Sequence, residues 1–254
     1  MNAKPAPGVT ESQPAMALDY AERWLRDGLA VLRPALSVLQ VTADMSAALA
    51  KLDALRQQGI RATPTHLLVQ ATARALAGNP RLHQLVAGTR RVRPGRIDIG
   101  LSVGGETFVA PVLVIEDADR KDIVEIAAET ERRLPEVRGA DRRMLAALRR
   151  WGWLLPFGWQ RRAVLRALFR SPGFRRRGAG TFQVSTVAGD WALTSTFATA
   201  GVLTGGQVWS RVVAIDGQPA VRPVMILTLS CDHGVWNGSD SARFLAAVKQ
   251  ALET

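Results

Sequence analysis

Cysteine and histidine are scarce in this 254-residue sequence. The single cysteine, Cys231, excludes a disulfide within the chain. Only three histidines accompany it, so we do not expect a zinc site or any other bound metal. Lysine is scarce as well, with four lysines beside 29 arginines.

Long apolar runs are also missing. No segment has the roughly 20 consecutive apolar residues that a membrane-spanning helix needs, and residues 1–18 lack the apolar core of a secretory signal. We therefore expect residues 1–18 to be a flexible tail and the protein to be cytoplasmic. Because 47% of the residues are hydrophobic, residues 19–254 can bury a large core as one domain.

The net charge of +11 is concentrated in one segment. Residues 141–180 contain 11 arginines, no lysine and one acidic residue, so the rest of the chain is nearly neutral. Such a local excess is weak evidence for nucleic-acid binding by the whole protein, and we expect no nucleic-acid partner.

Helical periodicity and strand-like alternation follow one another along the chain. Helices are predicted at 19–33, 46–58, 64–77, 118–133 and 240–252, and strands at 36–42, 97–103, 107–115, 180–187, 206–215 and 221–231. Asp216-Gly217 is a strong hairpin signal between the last two strands. This order predicts an α/β two-layer sandwich with a mixed sheet.

An arginine- and tryptophan-rich segment, residues 134–179, interrupts this order. Its apolar spacing predicts two amphipathic helices broken at Pro156-Phe157-Gly158. The interpretations open for residues 141–177 are helices packed on the domain with a solvated basic face, a membrane-surface element, a docking site for an acidic carrier domain, or a lid.

The segment 227–238 carries the clearest chemical signal. An apolar strand delivers His233 to its end, and histidine is the commonest general base in enzymes. Asn237 follows four residues later, beyond a glycine-containing turn. Cys231 lies two residues before His233 and could form a Cys–His pair, but a small buried thiol is the more ordinary interpretation.

The sequence from Asp232 to Gly238, followed by Ser-Asp-Ser-Ala-Arg-Phe-Leu, resembles the DHRxxDG–ADAARFL ending of dihydrolipoyl acyltransferase catalytic domains. These are core subunits of 2-oxoacid dehydrogenase complexes and are related to chloramphenicol acetyltransferase. Three further stretches are similar in the same order, at 64–87, 98–130 and 180–185. The resemblance implies a chloramphenicol acetyltransferase-like fold, with helices on one face of a mixed sheet.

The resemblance also implies roles for individual residues. His233 matches the catalytic base, Ser185 matches the hydroxyl that stabilises the oxyanion, and Asn237 stands where the motif usually has aspartate. Asp232 and Gly238 would support the motif. Coenzyme A or acetyl-CoA would be the co-substrate, and the assembly would be a homotrimer or a multiple of trimers, with histidine and serine from different chains.

Departures from the family pattern lie around the expected acceptor channel. Gly234 replaces the usual arginine, Trp236 replaces a small aliphatic residue, and residues 197–206 replace a proline-bearing loop. None of the four lysines has a lipoyl-domain setting.

These features support three functional hypotheses. The first is an acyl-CoA-dependent enzyme, most simply an acetyltransferase, acting on a hydroxyl of a small-molecule acceptor such as a natural-product tetronate. The second is a dihydrolipoyl transacylase acting on a separate lipoyl domain. The third is an inactive, membrane-associated scaffold trimer, so a peripheral-membrane location is also open.

Overall fold

The computed structural model describes residues 18–31, 35–87, 90–196 and 198–254. Its helices are α1 (Tyr20–Val31), α2 (Ser46–Gln57), α3 (Pro64–Gly78), α4 (Ile123–Trp151), α5 (Gly158–Phe169), α6 (Pro172–Ala179) and α7 (Gly238–Glu253), with 3-10 turns at Ala118–Arg120 and Gly152–Leu154. Its strands are β1 (Leu36–Asp44), β2 (Leu85–Ala87), β3 (Arg90–Val92), β4 (Ile99–Ser102), β5 (Val112–Ile115), β6 (Phe182–Thr186), β7 (Gly201–Gly205), β8 (Trp209–Ile215) and β9 (Gln218–Asp232). Most of the predicted tail lies outside these residues.

A seven-stranded mixed sheet organises the chain. Its order is β1-β9-β7-β6-β4-β5, and β8 pairs with the first half of β9. Strand β6 runs parallel to both β4 and β7, whereas the other pairs are antiparallel. The two-layer α/β prediction with a mixed sheet is therefore confirmed.

One face of the sheet carries the hydrophobic core. In β9 the alternate residues Met225, Leu227, Leu229 and Cys231 are buried on this face. Helix α3 packs into the same core, with ten of its 15 residues buried. Pro64 begins α3, and the backbone N–H of Thr63 donates to Nδ1 of His66 at 3.2 Å, which closes a capping box.

Several elements differ from the sequence-based prediction. The predicted strand 107–115 is a strand only over Val112–Ile115. The hairpin β2–β3 and strand β7 were not predicted, and β7 lies in the segment 197–206 that the sequence suggested as a loop. Phe197 itself is outside the described residues.

Helix α4 does not end near residue 133 but continues to Trp151, even with Pro135 inside it. Two further helices, α5 and α6, follow the predicted break at 156–158. This segment packs against α1, where the Asp27 carboxylate accepts a hydrogen bond from Arg161 Nε at 2.6 Å. None of the described helices is both long enough and apolar enough to cross a membrane.

Candidate active site

The turn that follows β9 is held by Asp232. Its Oδ1 accepts a hydrogen bond from the backbone N–H of Gly234 at 2.9 Å. Its carbonyl oxygen accepts from the backbone N–H groups of Val235 and Trp236 at 2.9 and 3.0 Å. The turn therefore presents His233, the residue inside it, in a fixed backbone conformation.

The imidazole of His233 has one nitrogen occupied. Nδ1 lies 3.0 Å from the carbonyl oxygen of Trp236. Because a carbonyl oxygen can only accept, Nδ1 carries the proton in this contact, so the lone pair of the neutral ring is on Nε2. The side chain is exposed, so Nε2 is available as a proton acceptor for a substrate.

Asn237 is the N-cap of α7. Its Oδ1 accepts a hydrogen bond from the backbone N–H of Asp240 at 2.8 Å, and Gly238 is the first residue of the helix. The observed role of Asn237 is therefore to anchor the helix that follows the turn. Its catalytic role, like that of His233, stays a prediction from the resemblance.

Trp236 does not lie in an acceptor channel, and that prediction is wrong. The indole is fully buried, and its Nε1–H donates to the carbonyl oxygen of Leu82 at 3.0 Å. Ring centroids of Phe182 and Phe244 lie 5.7 and 5.1 Å from it. Two neighbouring aromatic rings and the carbonyl oxygen of Leu82 therefore enclose the indole in the core.

We expect Trp236→Ala to lower the free energy of unfolding by about 3–5 kcal/mol, because a large buried ring is removed. Denaturant titration at fixed protein concentration measures the effect. Trp191→Ala is the matched control, since Trp191 is 54% exposed and its loss should cost under about 0.5 kcal/mol. Equal stability of both variants would contradict the described packing.

Two arginines lie near this turn. Arg91, on β3, donates from Nη2 to the carbonyl oxygen of Gly234 at 2.9 Å. Arg175, on α6, donates from Nε to the carbonyl oxygen of Ala198 at 2.6 Å. Burial lowers the pKa of Arg175, and the negative charge of Asp232 raises it. The guanidinium group of Arg175, on α6, is therefore a positive charge that interacts with Asp232.

Ser185 lies on β6, opposite Thr204 of β7, and is partly exposed. Within the described residues its hydroxyl makes no hydrogen bond. Because Phe182 and Val184 face the core, Ser185 points from the opposite face of the sheet. A free hydroxyl on that face can donate to a ligand.

The register of the sheet separates Ser185 from His233. Ser185 is level with Thr204, and Thr204 is level with Thr228 on β9. His233 follows Thr228 by five residues, which corresponds to roughly 17 Å along the strand direction. One chain therefore does not bring these two side chains together.

A polar strip accompanies Ser185 on its face of the sheet. Thr204 and Thr228 are fully buried there, with hydrogen bonds to the side chains of Thr194 and Gln40. Ser230, also fully buried, has no hydrogen-bond partner for its hydroxyl. This strip was not predicted from the sequence, although Thr228 and Ser230 alternate with leucines in an otherwise apolar strand.

The remaining cysteine and histidines have structural surroundings. Cys231 is fully buried in the core, and burial raises the pKa of its thiol. Burial lowers the pKa of His66 and of His83, and Nε2 of His83 lies 2.7 Å from the hydroxyl of Thr181. Among the described residues no group of three or more histidine, cysteine, aspartate or glutamate side chains is arranged to hold a metal ion.

A comparison with known protein families assigns this chain to one of them. The model of the 2-oxoacid dehydrogenases acyltransferase catalytic domain matches residues 34–142 and 197–254, which include the whole turn around His233. The chain belongs to this acyltransferase family. The unmatched segment, 143–196, contains the arginine- and tryptophan-rich helices and also Ser185.

Individual relatives agree with this assignment. The succinyltransferase component of the 2-oxoglutarate dehydrogenase complex of Bartonella vinsonii subsp. berkhoffii is 26% identical over 202 residues, covering 78% of this chain and 42% of that protein. The chain therefore spans less than half the length of this curated relative.

Solved structures share the fold. One is the dihydrolipoamide acetyltransferase of Azotobacter vinelandii, studied for the role of a serine, a histidine and an asparagine in its catalytic mechanism. It has a TM-score of 0.70 at 20% identity, covering 99% of this chain and 97% of that one. A chloramphenicol acetyltransferase has a TM-score of 0.52 at 14% identity, covering 93% and 96%. The predicted chloramphenicol acetyltransferase-like fold is confirmed.

Proposed function

We propose that this protein transfers an acyl group between coenzyme A and a dihydrolipoyl thiol carried on a separate protein. The observation that carries the proposal is the exposed imidazole of His233, whose Nδ1 is hydrogen-bonded to the Trp236 carbonyl oxygen and whose Nε2 is left for a substrate. The acyltransferases that match the chain support the thiol acceptor. In the Azotobacter enzyme the histidine and asparagine are four residues apart, as are His233 and Asn237.

The imidazole of His233 would transfer the proton, and the hydroxyl of Ser185 would stabilise the oxyanion. Nε2 of His233 takes the proton from the attacking thiol, and the thiolate attacks the thioester carbonyl. The tetrahedral oxyanion receives a hydrogen bond from Ser185, a donor placed where negative charge develops. Collapse expels the second thiolate, which recovers the proton from the imidazolium. No acyl-enzyme is formed.

We propose that the complete site forms between copies of the chain. The sheet register places Ser185 and His233 of one chain at different positions along the strands, which supports a site in which a neighbouring copy supplies the serine. A homotrimer with closed symmetry would provide three equivalent sites of this kind, because each chain then contacts two neighbours.

The relatives favour a thiol acceptor over the small-molecule hydroxyl of the first hypothesis. A hydroxyl acceptor would use the same imidazole, so the chemistry of the acceptor is the point to test. An inactive scaffold has less support, because hydrogen bonds from Gly234 to Asp232 and between His233 and Trp236 hold the turn that exposes His233.

A pair of matched acceptors tests the proposal. The purified chain is incubated with acetyl-CoA or succinyl-CoA and either dihydrolipoamide or 6,8-dihydroxyoctanamide, in which hydroxyl groups replace both thiols. We expect His233-dependent release of coenzyme A, with kcat/KM at least tenfold higher for the dithiol. Equal or higher kcat/KM for the diol would establish the hydroxyl hypothesis instead. No turnover of either acceptor would leave the scaffold hypothesis.

A further inference from the structure

The junction between α4 and α5 exposes a run of large apolar side chains. We call Trp151, Trp153, Leu154, Phe157 and Trp159 the aromatic tip. Their exposure ranges from 53% for Trp151 to 65% for Trp159. These five large apolar residues lie within nine positions of the sequence. An exposed apolar patch of this kind is unfavourable on a surface that contacts only water.

Helix α5 extends this surface, and it buries a charged side chain while it exposes an apolar one. The one fully buried residue of α5 is a charged one, Arg161. Trp159, Ala163, Arg166 and Arg170, spaced to share one face of the helix, are all exposed. The outward face therefore combines an indole with two guanidinium groups.

The charge around the aromatic tip is mostly positive. Residues 141–180 contain 11 arginines and one acidic residue. Arg150 lies with Cζ 5.0 Å from the ring centroid of Trp151. No carboxylate among the described residues forms a salt bridge with Arg150, Arg166 or Arg170.

Hydrogen bonds of Arg161 and packing against α1 hold the backbone of the aromatic tip in place. Arg161 donates from Nε to Asp27 of α1 and from Nη1 to the carbonyl oxygens of Leu155 and Pro156, at 2.9 and 2.8 Å. Gly152 is buried against Trp24 of α1. These contacts hold the backbone in a conformation that leaves the apolar side chains exposed.

We propose that the aromatic tip and the outward face of α5 bind the surface of an anionic phospholipid bilayer. Tryptophan, phenylalanine and leucine enter the boundary between headgroups and acyl chains, while arginines on the same surface meet lipid phosphates. Charge complementarity selects this partner over a second copy of the chain, because two such surfaces would repel each other. It favours a bilayer over an acidic carrier domain because aromatic side chains at the centre of the surface suit the interface of a membrane.

Vesicle co-sedimentation of the full chain tests this surface. Vesicles of phosphatidylcholine alone are compared with equimolar phosphatidylcholine and phosphatidylglycerol. We expect the partition coefficient to be at least tenfold higher for the anionic vesicles. The double variant Leu154→Asp, Phe157→Asp should lose at least tenfold, and Arg166→Glu, Arg170→Glu should also lose tenfold or more, at about fivefold per arginine.

Matched controls carry equal changes of charge elsewhere on the surface. Phe108→Asp, Val221→Asp replaces two residues that are 58% and 69% exposed, and Arg56→Glu, Arg81→Glu replaces two exposed arginines. Both should bind within twofold of the unchanged chain. Thermal unfolding of every variant verifies folding. Quenching of tryptophan fluorescence by brominated lipid should occur in the unchanged chain and be lost in the Leu154/Phe157 variant, which keeps all seven tryptophans.

Three results would overturn the proposal. Failure of the folded chain to bind anionic vesicles is the first. The second is equal binding by the Leu154/Phe157 variant, which would show simple adsorption of a basic protein. The third is loss of oligomers in the Leu154/Phe157 variant without lipid binding by the unchanged chain, which would show that the tip is a protein interface.

Discussion

His233→Ala should lower kcat for acyl transfer to dihydrolipoamide by about 10²- to 10⁴-fold, the usual contribution of a positioned general base. The imidazole lies outside the core and the turn is held by Asp232, so the variant should fold and assemble. KM for acyl-CoA should change little, since the imidazole is expected to act on the proton of the thiol. Initial rates of coenzyme A release measure both constants.

A second histidine variant separates chemistry from stability. His83→Gln alters a buried histidine that contacts Thr181, so its effect should be on the unfolding transition, with kcat within a few-fold of the unchanged protein. If His233→Ala retained more than a tenth of kcat, general-base catalysis by this residue would be refuted.

Mixing two inactive variants should restore activity. Ser185→Ala alone should lower kcat by about 10²- to 10³-fold, as loss of one oxyanion donor does. When Ser185→Ala and His233→Ala chains are unfolded together and reassembled in equal amounts, about one quarter of sites formed between neighbours should combine an intact serine with an intact histidine. The rate should therefore recover to roughly a quarter of the unchanged protein's rate.

The control for this experiment is each variant unfolded and reassembled alone, which should stay inactive. Recovery is expected if the site is shared between chains, as the separation of Ser185 and His233 in the sheet register supports. A mixture no more active than the mean of its two components would show that serine and histidine are not shared between chains.

The local features of the site could be predicted from the sequence. His233 and Asn237 lie within one turn, so their pattern in the sequence is also their arrangement in space. The position of Ser185 relative to His233 could not be predicted, because it depends on strand order and on two registers. Trp236 was predicted to lie at the acceptor channel, because no residue near it in the sequence indicates its contact with the distant Phe182.

The missed strand β7 has a similar explanation. Gly201 and Gly205 are typical of loops, yet a Cβ at Gly201 would lie 2.5 Å from Cε2 of Phe182. Glycine is needed there to let the strand pass beneath the aromatic ring. Residues 134–179 were partly predictable: the break at 156–158 was visible, but the long continuation of α4 past Pro135 was not.

Strand β7 also has a consequence for any assembly of this chain. It pairs with both β6, which carries Ser185, and β9, which ends just before His233, so its two registers set the offset between Ser185 and His233 along the sheet. A slip of one residue would offset them by about 3.3 Å and turn its side chains to the wrong faces. Since a reacting group must be placed within about 0.5 Å, a site shared between copies of the chain, as we propose, would depend on the register of these five residues.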